Sequence, residues 1–347
     1  MPGDIARSLP EKLCARLART HYENFPVGSF FLPRSLRVHV FNIYAYCRVC
    51  DDLADETGDP ELSLRLLEWW RMELRECYAG RPNHPVFVAL KPTIDRFDLP
   101  MKPFDDLIQA FVQDQLVTRY DTYQQLLGYC ERSANPVGRL FLCLMGYRDE
   151  ARIRLSDMTC TALQLVNFWQ DVAVDYAKGR IYIPREDMDR FGYTEAELRN
   201  RVVNAAFRRL MRFELDRTRE LFIGGAALGR LVEGGGAADV DMFNRCGLAL
   251  VDAIERAGRA GVDRADAGMR EGRAQQAGMQ HAARRDVHRV ARGARDLVAP
   301  VQPGNRTADD REFGVRRQRR RLVRRHRPLD RPEAGPGDAV GEALGAA

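Results

Sequence analysis

Two pairs of aspartates, each four residues apart, are the groups in this chain best placed to do chemistry. Asp171 and Asp175 lie within the stretch from Gln164 to Pro184, and Asn167 precedes Asp171 by four. On a helix these three side chains and Gln164 share one face. Val166, Phe168, Trp169, Val172 and Val174 fill most of the remainder, so the helix reads as apolar nearly all round and buried. The second pair is Asp51 and Asp55, with Asp52 between them, and Tyr44, Arg48, Asp51 and Asp55 follow one helical stripe. Carboxylates on a buried helix repel each other and are costly to desolvate unless a cation sits between them. Two acidic faces looking across a cavity make a site for a hard cation, and Mg2+ held in this way commonly keeps substrate phosphate as a further ligand.

An isolated Asp-x-x-x-Asp pair is ordinarily a solvated helix face. Two pairs on apolar helices, each with aligned polar partners, are harder to explain in that way. Mg2+ bridging such carboxylates to a diphosphate would draw charge onto the leaving group. Arg48, with Lys178 or Arg180, would add charge-assisted hydrogen bonds to the phosphate oxygens. Ionising an allylic diphosphate leaves a carbocation, which needs apolar, aromatic-lined walls to exclude water. Phe25, Phe30, Phe31, Phe141, Phe168 and Trp169 are available as walls, although aromatics at helical spacing are more often core. The six histidines, three of them after residue 258, sit in no setting that suggests nucleophilic catalysis, and no phosphate-cradling glycine loop occurs.

The elements that must carry these residues read as helices throughout. Helical spacing and breakers place a short helix over 11–18 and a long one from Pro33–Ser35 to Asp55 or Glu56. Others span 61–79, 85–97 and 103–118, and one from Asp121 to about Gly146 is kinked or broken by Pro136. The central helix spans Asp149–Asp175 and ends at Lys178-Gly179-Arg180, with an extended exit over 181–184. A charged amphipathic helix over Thr194–Phe222 and another over Phe243–Ala257 complete the body. No alternating strand of convincing length appears, so an all-α body of eight to ten helices around one core is expected.

The chain of 347 residues is 45% hydrophobic and 30% charged, which describes a globular protein with a large core. It has no run of 18 apolar residues and no apolar signal-peptide core near Met1, so the expected location is cytoplasmic. Eight scattered cysteines fit reduced thiols, and Cys47-x-x-Cys50 lacks the second pair or the histidine a zinc site requires. The net charge of +5 is unevenly spread: residues 259–347 hold 20 Arg and 12 acidic residues, leaving a mildly acidic body. That composition divides the chain into a helical domain over 1–258 and an Arg/Ala/Gly-rich tail over 259–347, read as disordered or frame-shifted. The run Arg316–Arg321 suits nucleic acid or anionic lipid, but the abrupt change in composition favours a solvated tail over a nucleic-acid partner.

The motif Ile43–Asp55, taken with 164–184, resembles the squalene/phytoene synthase family over roughly residues 10–257. Within it, Asn24–Ser29 and Ser133–Gly138 are similar to the bacterial hydroxysqualene synthase branch of hopanoid biosynthesis. The resemblance implies a single-domain, all-α isoprenoid synthase fold with two Asp-rich helices facing a central cavity. It implies a Mg2+ role for Asp51, Asp55, Asn167, Asp171 and Asp175, the four aspartates being catalytic. It implies substrate contact for Tyr44, Arg48 and Gln164, and for His21 and Tyr129. The implied reaction takes presqualene diphosphate, formed from farnesyl diphosphate, to hydroxysqualene by rearrangement and capture of water. Relatives forming dehydrosqualene or phytoene tend to have Arg where this chain has Gln170, which argues against those products. Implied partners are the enzymes before and after it in squalene synthesis, with peripheral contact at the inner membrane face for so apolar a substrate.

Overall fold

A computed structural model describes residues 9–20 and 34–260 of the chain. Among the described residues there is no strand, and the helices run α1 Leu9–Thr20, α2 Arg34–Asp55, α3 Pro60–Tyr78, α4 Pro85–Phe97, α5 Met101–Leu116 and α6 Tyr123–Ser133. They continue as α7 Asn135–Leu144, α8 Glu150–Ala177, α9 Arg185–Phe191, α10 Glu195–Arg199, α11 Ala205–Gly225 and, after a 3-10 turn over Ala226–Arg230, α12 Gly235–Ala260.

Local chemistry explains most of these ends. Asp59 caps α3 by accepting from the amides of Glu61 and Leu62, and Pro60 fits the first turn because its missing N–H has no partner there. Thr122 and Gln125 form a capping box on α6. Pro136 separates α6 from α7 at Ala134. Asp149 caps α8 through the Arg152 amide, and Gly179, at φ 82°, ends it in a conformation that costs glycine little.

Two apolar clusters carry the packing. In the first, α2, α3, α4 and α5 close around Tyr46, whose ring meets Trp70, Phe87 and Phe104 at 5.0–5.8 Å and whose hydroxyl donates to the Phe104 carbonyl. In the second, α8 lies against α6, α11 and α12, with Leu165, Val166, Leu210 and Phe222 fully buried. Trp169 is buried here, and its indole N–H donates to Thr218 Oγ1 of α11 at 2.8 Å. Gly138 of α7 lies directly against Ser156 and Cys160 of α8, leaving no room for a Cβ.

Several expectations need correction. Twelve α-helices occur among the described residues rather than eight to ten. The single helix expected over Thr194–Phe222 is two. A Thr194–Glu197 capping box starts α10, Arg201 turns back at φ 53°, and Asn204 caps α11 through the Phe207 amide. The short α9 was not expected, although Glu186 and Asp187 in its first turn and Gly192 at its end mark it. The central helix is not buried all round: Gln170, Asp171 and Ala173 are exposed, and full burial is confined to its N-terminal two-thirds. Helix α12 begins at Gly235 and extends past the domain boundary drawn at 258; the rest of the 259–347 tail lies outside the described residues.

Burial also creates one acidic knot away from the aspartate pairs. Glu214 of α11 is fully buried and shares Arg217 with Asp187 of α9, the guanidinium lying 2.5 Å from each carboxylate and 3.5 Å over the Tyr123 ring. One cation serves two carboxyl groups, and burial pushes Glu214 from its ordinary 4.5 to about 8, against the pull of Arg217. The folded chain therefore binds a proton that the unfolded chain releases between those values, so this contribution falls as pH rises from about 4.5 to 8. Glu214→Gln keeps the neutral shape, and urea unfolding across that range should show a flatter pH dependence with no loss of stability at pH 8.

Candidate active site

Helices α2 and α8 bring their C-terminal ends together, and both ends are acidic. On α2, Arg48 bridges Asp51 at 2.8 Å and the buried Asp52 one turn on. Burial pushes the Asp52 carboxyl up to about 7, with Arg48 pulling it back. Asp55, in the last turn, faces the residues that follow α8: Arg180 Nη2 lies 3.3 Å from its Oδ1 and Lys178 Nζ 3.7 Å from its Oδ2.

On α8, Gln164, Asn167 and Asp175 are half-buried and Asp171 is exposed. Burial pushes the Asp175 carboxyl up to about 6, reinforced by Asp171 and Asp55 and opposed by Lys178 and Arg180. Asp55 and Asp175 thus feel each other across the gap between the helices. A small pocket opens beside them, lined by Phe168, Val172, Ile181, Tyr182, Ile183 and Leu198 with Asp175 and Arg180. Phe168 stacks on Tyr182 with ring centres 3.8 Å apart and planes 8° from parallel.

Beneath Arg180 lies a group that the aspartate pairs did not point to. Asp114, near the end of α5, is buried, and its two carboxylate oxygens accept from Tyr129 at 2.7 Å and Tyr182 at 3.4 Å. Its main-chain carbonyl accepts from Arg180 Nη2 at 3.4 Å. Burial pushes the carboxyl up to about 6, and the Tyr129 hydroxyl and Arg180 pull it back. Its position on the buried stripe after Leu107 and Ala110 was the available signal, since a carboxylate there needs partners.

The aspartates expected to act together are therefore gathered at the two helix ends, with Arg48, Lys178 and Arg180 among them. Tyr44 packs against Ala15 and Phe41, Tyr129 is buried on Asp114, and His21 lies outside the described residues, as do Phe25, Phe30 and Phe31. Phe168 lines the pocket, whereas Trp169, also considered as wall, bonds to α11 within the core. Cys47 and Cys50 pack into the first apolar cluster as free thiols.

Among the described residues no three acidic, histidine or cysteine side chains converge as a metal-holding group. The donor set still fits a hard cation: it is all oxygen, and both the burial that raises Asp175 and the repulsion from Asp171 and Asp55 that adds to it are what a cation between the faces would offset.

Comparison with known proteins finds relatives in sequence and in fold. A family model described as squalene/phytoene synthase matches residues 18–275, past the 10–257 span read from motifs. The crystal structure of squalene synthase HpnC from Alicyclobacillus acidocaldarius is 45% identical and superposes with a TM-score of 0.69, covering 72% of this chain and 94% of that one. The curated phytoene synthase of Arthrospira platensis is 35% identical over 239 residues, covering 64% of this chain and 76% of its own length. A dehydrosqualene synthase crystal structure, at 22% identity and TM-score 0.62, shares the fold over 73% of this chain and 97% of that one.

The Arg48 bridge yields a stability prediction. Arg48→Met leaves the buried Asp52 carboxyl without its cation and should cost about 3 kcal/mol in urea unfolding. Adding Asp52→Asn should return most of that loss.

Proposed function

The chain belongs to the squalene/phytoene synthase family, and from that membership we propose that it converts presqualene diphosphate and water to hydroxysqualene with release of diphosphate. Members of the family are head-to-head prenyl transferases that bind prenyl diphosphates. The observation that carries the reading is the meeting of Asp55 and Asp175 at two helix ends with Lys178 and Arg180 beside them and an aromatic pocket alongside. The likeness to squalene synthase HpnC, at 45% identity, supports the C30 choice.

In this reading Asp51, Asp55, Asn167, Asp171 and Asp175 would hold Mg2+, which would supply Lewis-acid charge to the departing diphosphate. The chain's own cations do the complementary work. Arg48, Lys178 and Arg180 exchange part of their bonding with aspartates for bonding with phosphate oxygens, so the leaving group meets cations already in place. Tyr44, Gln164, Tyr129 and His21 contact the substrate. Phe168, Tyr182 and the aliphatic residues beside them keep bulk water from the cation until rearrangement is complete. The carbon–oxygen bond to diphosphate breaks, a bond to water oxygen forms, and the proton leaves to solvent. No reductant enters the balance.

The curated phytoene synthases favour a second reading, phytoene formation from C20 diphosphates, against which Gln170 weighs. The segment after 275, where the family match stops, acts as a tail outside the catalytic domain, and the enzyme works at the cytoplasmic membrane surface beside the enzymes that supply and reduce its C30 intermediates. No described helix is long and apolar enough to cross a membrane.

Incubation with Mg2+ and presqualene diphosphate, followed by extraction and mass analysis, should give hydroxysqualene, with Asp171→Asn slower by on the order of a hundredfold. Phytoene from C20 diphosphate would favour the second reading, and a folded wild type without any prenyl product would exclude catalysis. A chain ending at Gln275, where the family match stops, should keep the activity.

A further inference from the structure

Asp114 is more expensive than its position in the fold requires. A buried carboxylate held by two phenols makes no ion pair with a described Lys or Arg through its side chain, although burial disfavours its charge. An amide or an apolar residue would fill the same space at lower cost. What distinguishes the position is the segment it touches. The connection after α5 and the segment leaving α8 run side by side, with Ile181 N donating to Thr118 O at 2.9 Å and Arg119 Nη1 to Gly179 O at 2.6 Å. Arg185 N and Glu186 N then donate to the carbonyls of Tyr120 and Asp121. Asp114 grips the start of this seam twice, by its carbonyl on Arg180 and by its carboxylate on Tyr182 two residues later. The same carboxylate fixes Tyr129 of α6, and the rings of Tyr129, Tyr182 and Phe168 lie within 6.0 Å of one another.

We propose that Asp114 is a positioning residue: by binding Tyr182 and the Arg180 guanidinium together it sets Arg180 against Asp55, and so presents that cation to the diphosphate group of the substrate. The proposal rests on the reading of the site as a diphosphate cradle. It separates two roles that the geometry superposes. Asp55 and Arg180 meet the ligand, while Asp114 has its side chain committed to the phenols and acts only through them and through the segment they hold.

The test is calorimetric binding of inorganic diphosphate, with and without Mg2+, to wild type, Asp114→Asn, Arg180→Gln and the double variant, alongside thermal unfolding. Asp114→Asn should weaken diphosphate binding about tenfold in both conditions. Arg180→Gln should lose at least as much, and the double variant should be within about twofold of Arg180→Gln, because both act through one contact. A purely structural Asp114 would lower the unfolding temperature and leave diphosphate affinity unchanged, which overturns the proposal, as does a loss in the double variant that multiplies the two single losses. Tyr182→Phe, which removes one donor and keeps the ring, should also weaken diphosphate binding, and it decides the matter if Asp114→Asn does not fold. A wild type that binds no diphosphate overturns both this proposal and the functional reading. A wild type that binds it with the expected losses, yet forms no prenyl product, overturns the functional reading alone.

Discussion

Two helix C-termini, each carrying aspartates, end against the same small volume, and everything around them answers that concentration of negative charge. An α-helix presents about half a negative charge at its C-terminus through carbonyls that have no partner in the helix. Helix α2 adds Asp51, Asp52 and Asp55 to that end, and α8 adds Asp171 and Asp175. The chain places Arg48 among the first group and returns Lys178 and Arg180 from the end of the second to the first. Gly179 makes that return short, because its positive φ ends α8 between the two cations. The result is a site in which three cations stand among five aspartates, so the charge remains negative in the protein alone.

The parts of this arrangement that were legible in the sequence are those encoded by local spacing. The four-residue intervals of Asp51 and Asp55, and of Asp171 and Asp175, give a face once helix is assumed, and Pro136 and Gly179 mark ends wherever they fall. The break between α10 and α11 was hidden because the apolar period continues across Arg201–Asn204, while the turn depends on one residue adopting a positive φ and on an Asn cap. Asp114 was hidden for a different reason. Its partners lie 15 and 68 residues away, and a lone carboxylate near the end of a helix looks like ordinary surface until those partners are known. The degree of burial of α8 was overstated because five apolar residues in the sequence do not reveal which face meets a neighbour and which meets the gap.

Division of labour between the two apolar clusters follows from the same constraint. The cluster around Tyr46 fixes α2 among α3, α4 and α5, and the cluster around Leu165 fixes α8 among α6, α11 and α12. Neither cluster contains the four aspartates, but both reach the acidic ends: Leu53 and Ala54 between Asp51 and Asp55 belong to the first, and Val172 and Tyr176 beside Asp171 and Asp175 pack against the second. The aromatic rings of Phe168, Tyr129 and Tyr182 are buried in the second cluster, and Phe168 and Tyr182 also line the pocket beside Asp175 and Arg180.

The hydrogen bond from the Trp169 indole to Thr218 has a consequence for how α8 is indexed. An indole has one N–H and needs one acceptor when buried; here that acceptor is a single hydroxyl on α11, 49 residues along the chain. A slip of α8 by one residue would turn every side chain by about 100° around its axis, pulling the indole from its acceptor. The bond therefore works as a phase key, locking the rotation of the helix two residues before Asp171 and fixing the direction in which its carboxylates project.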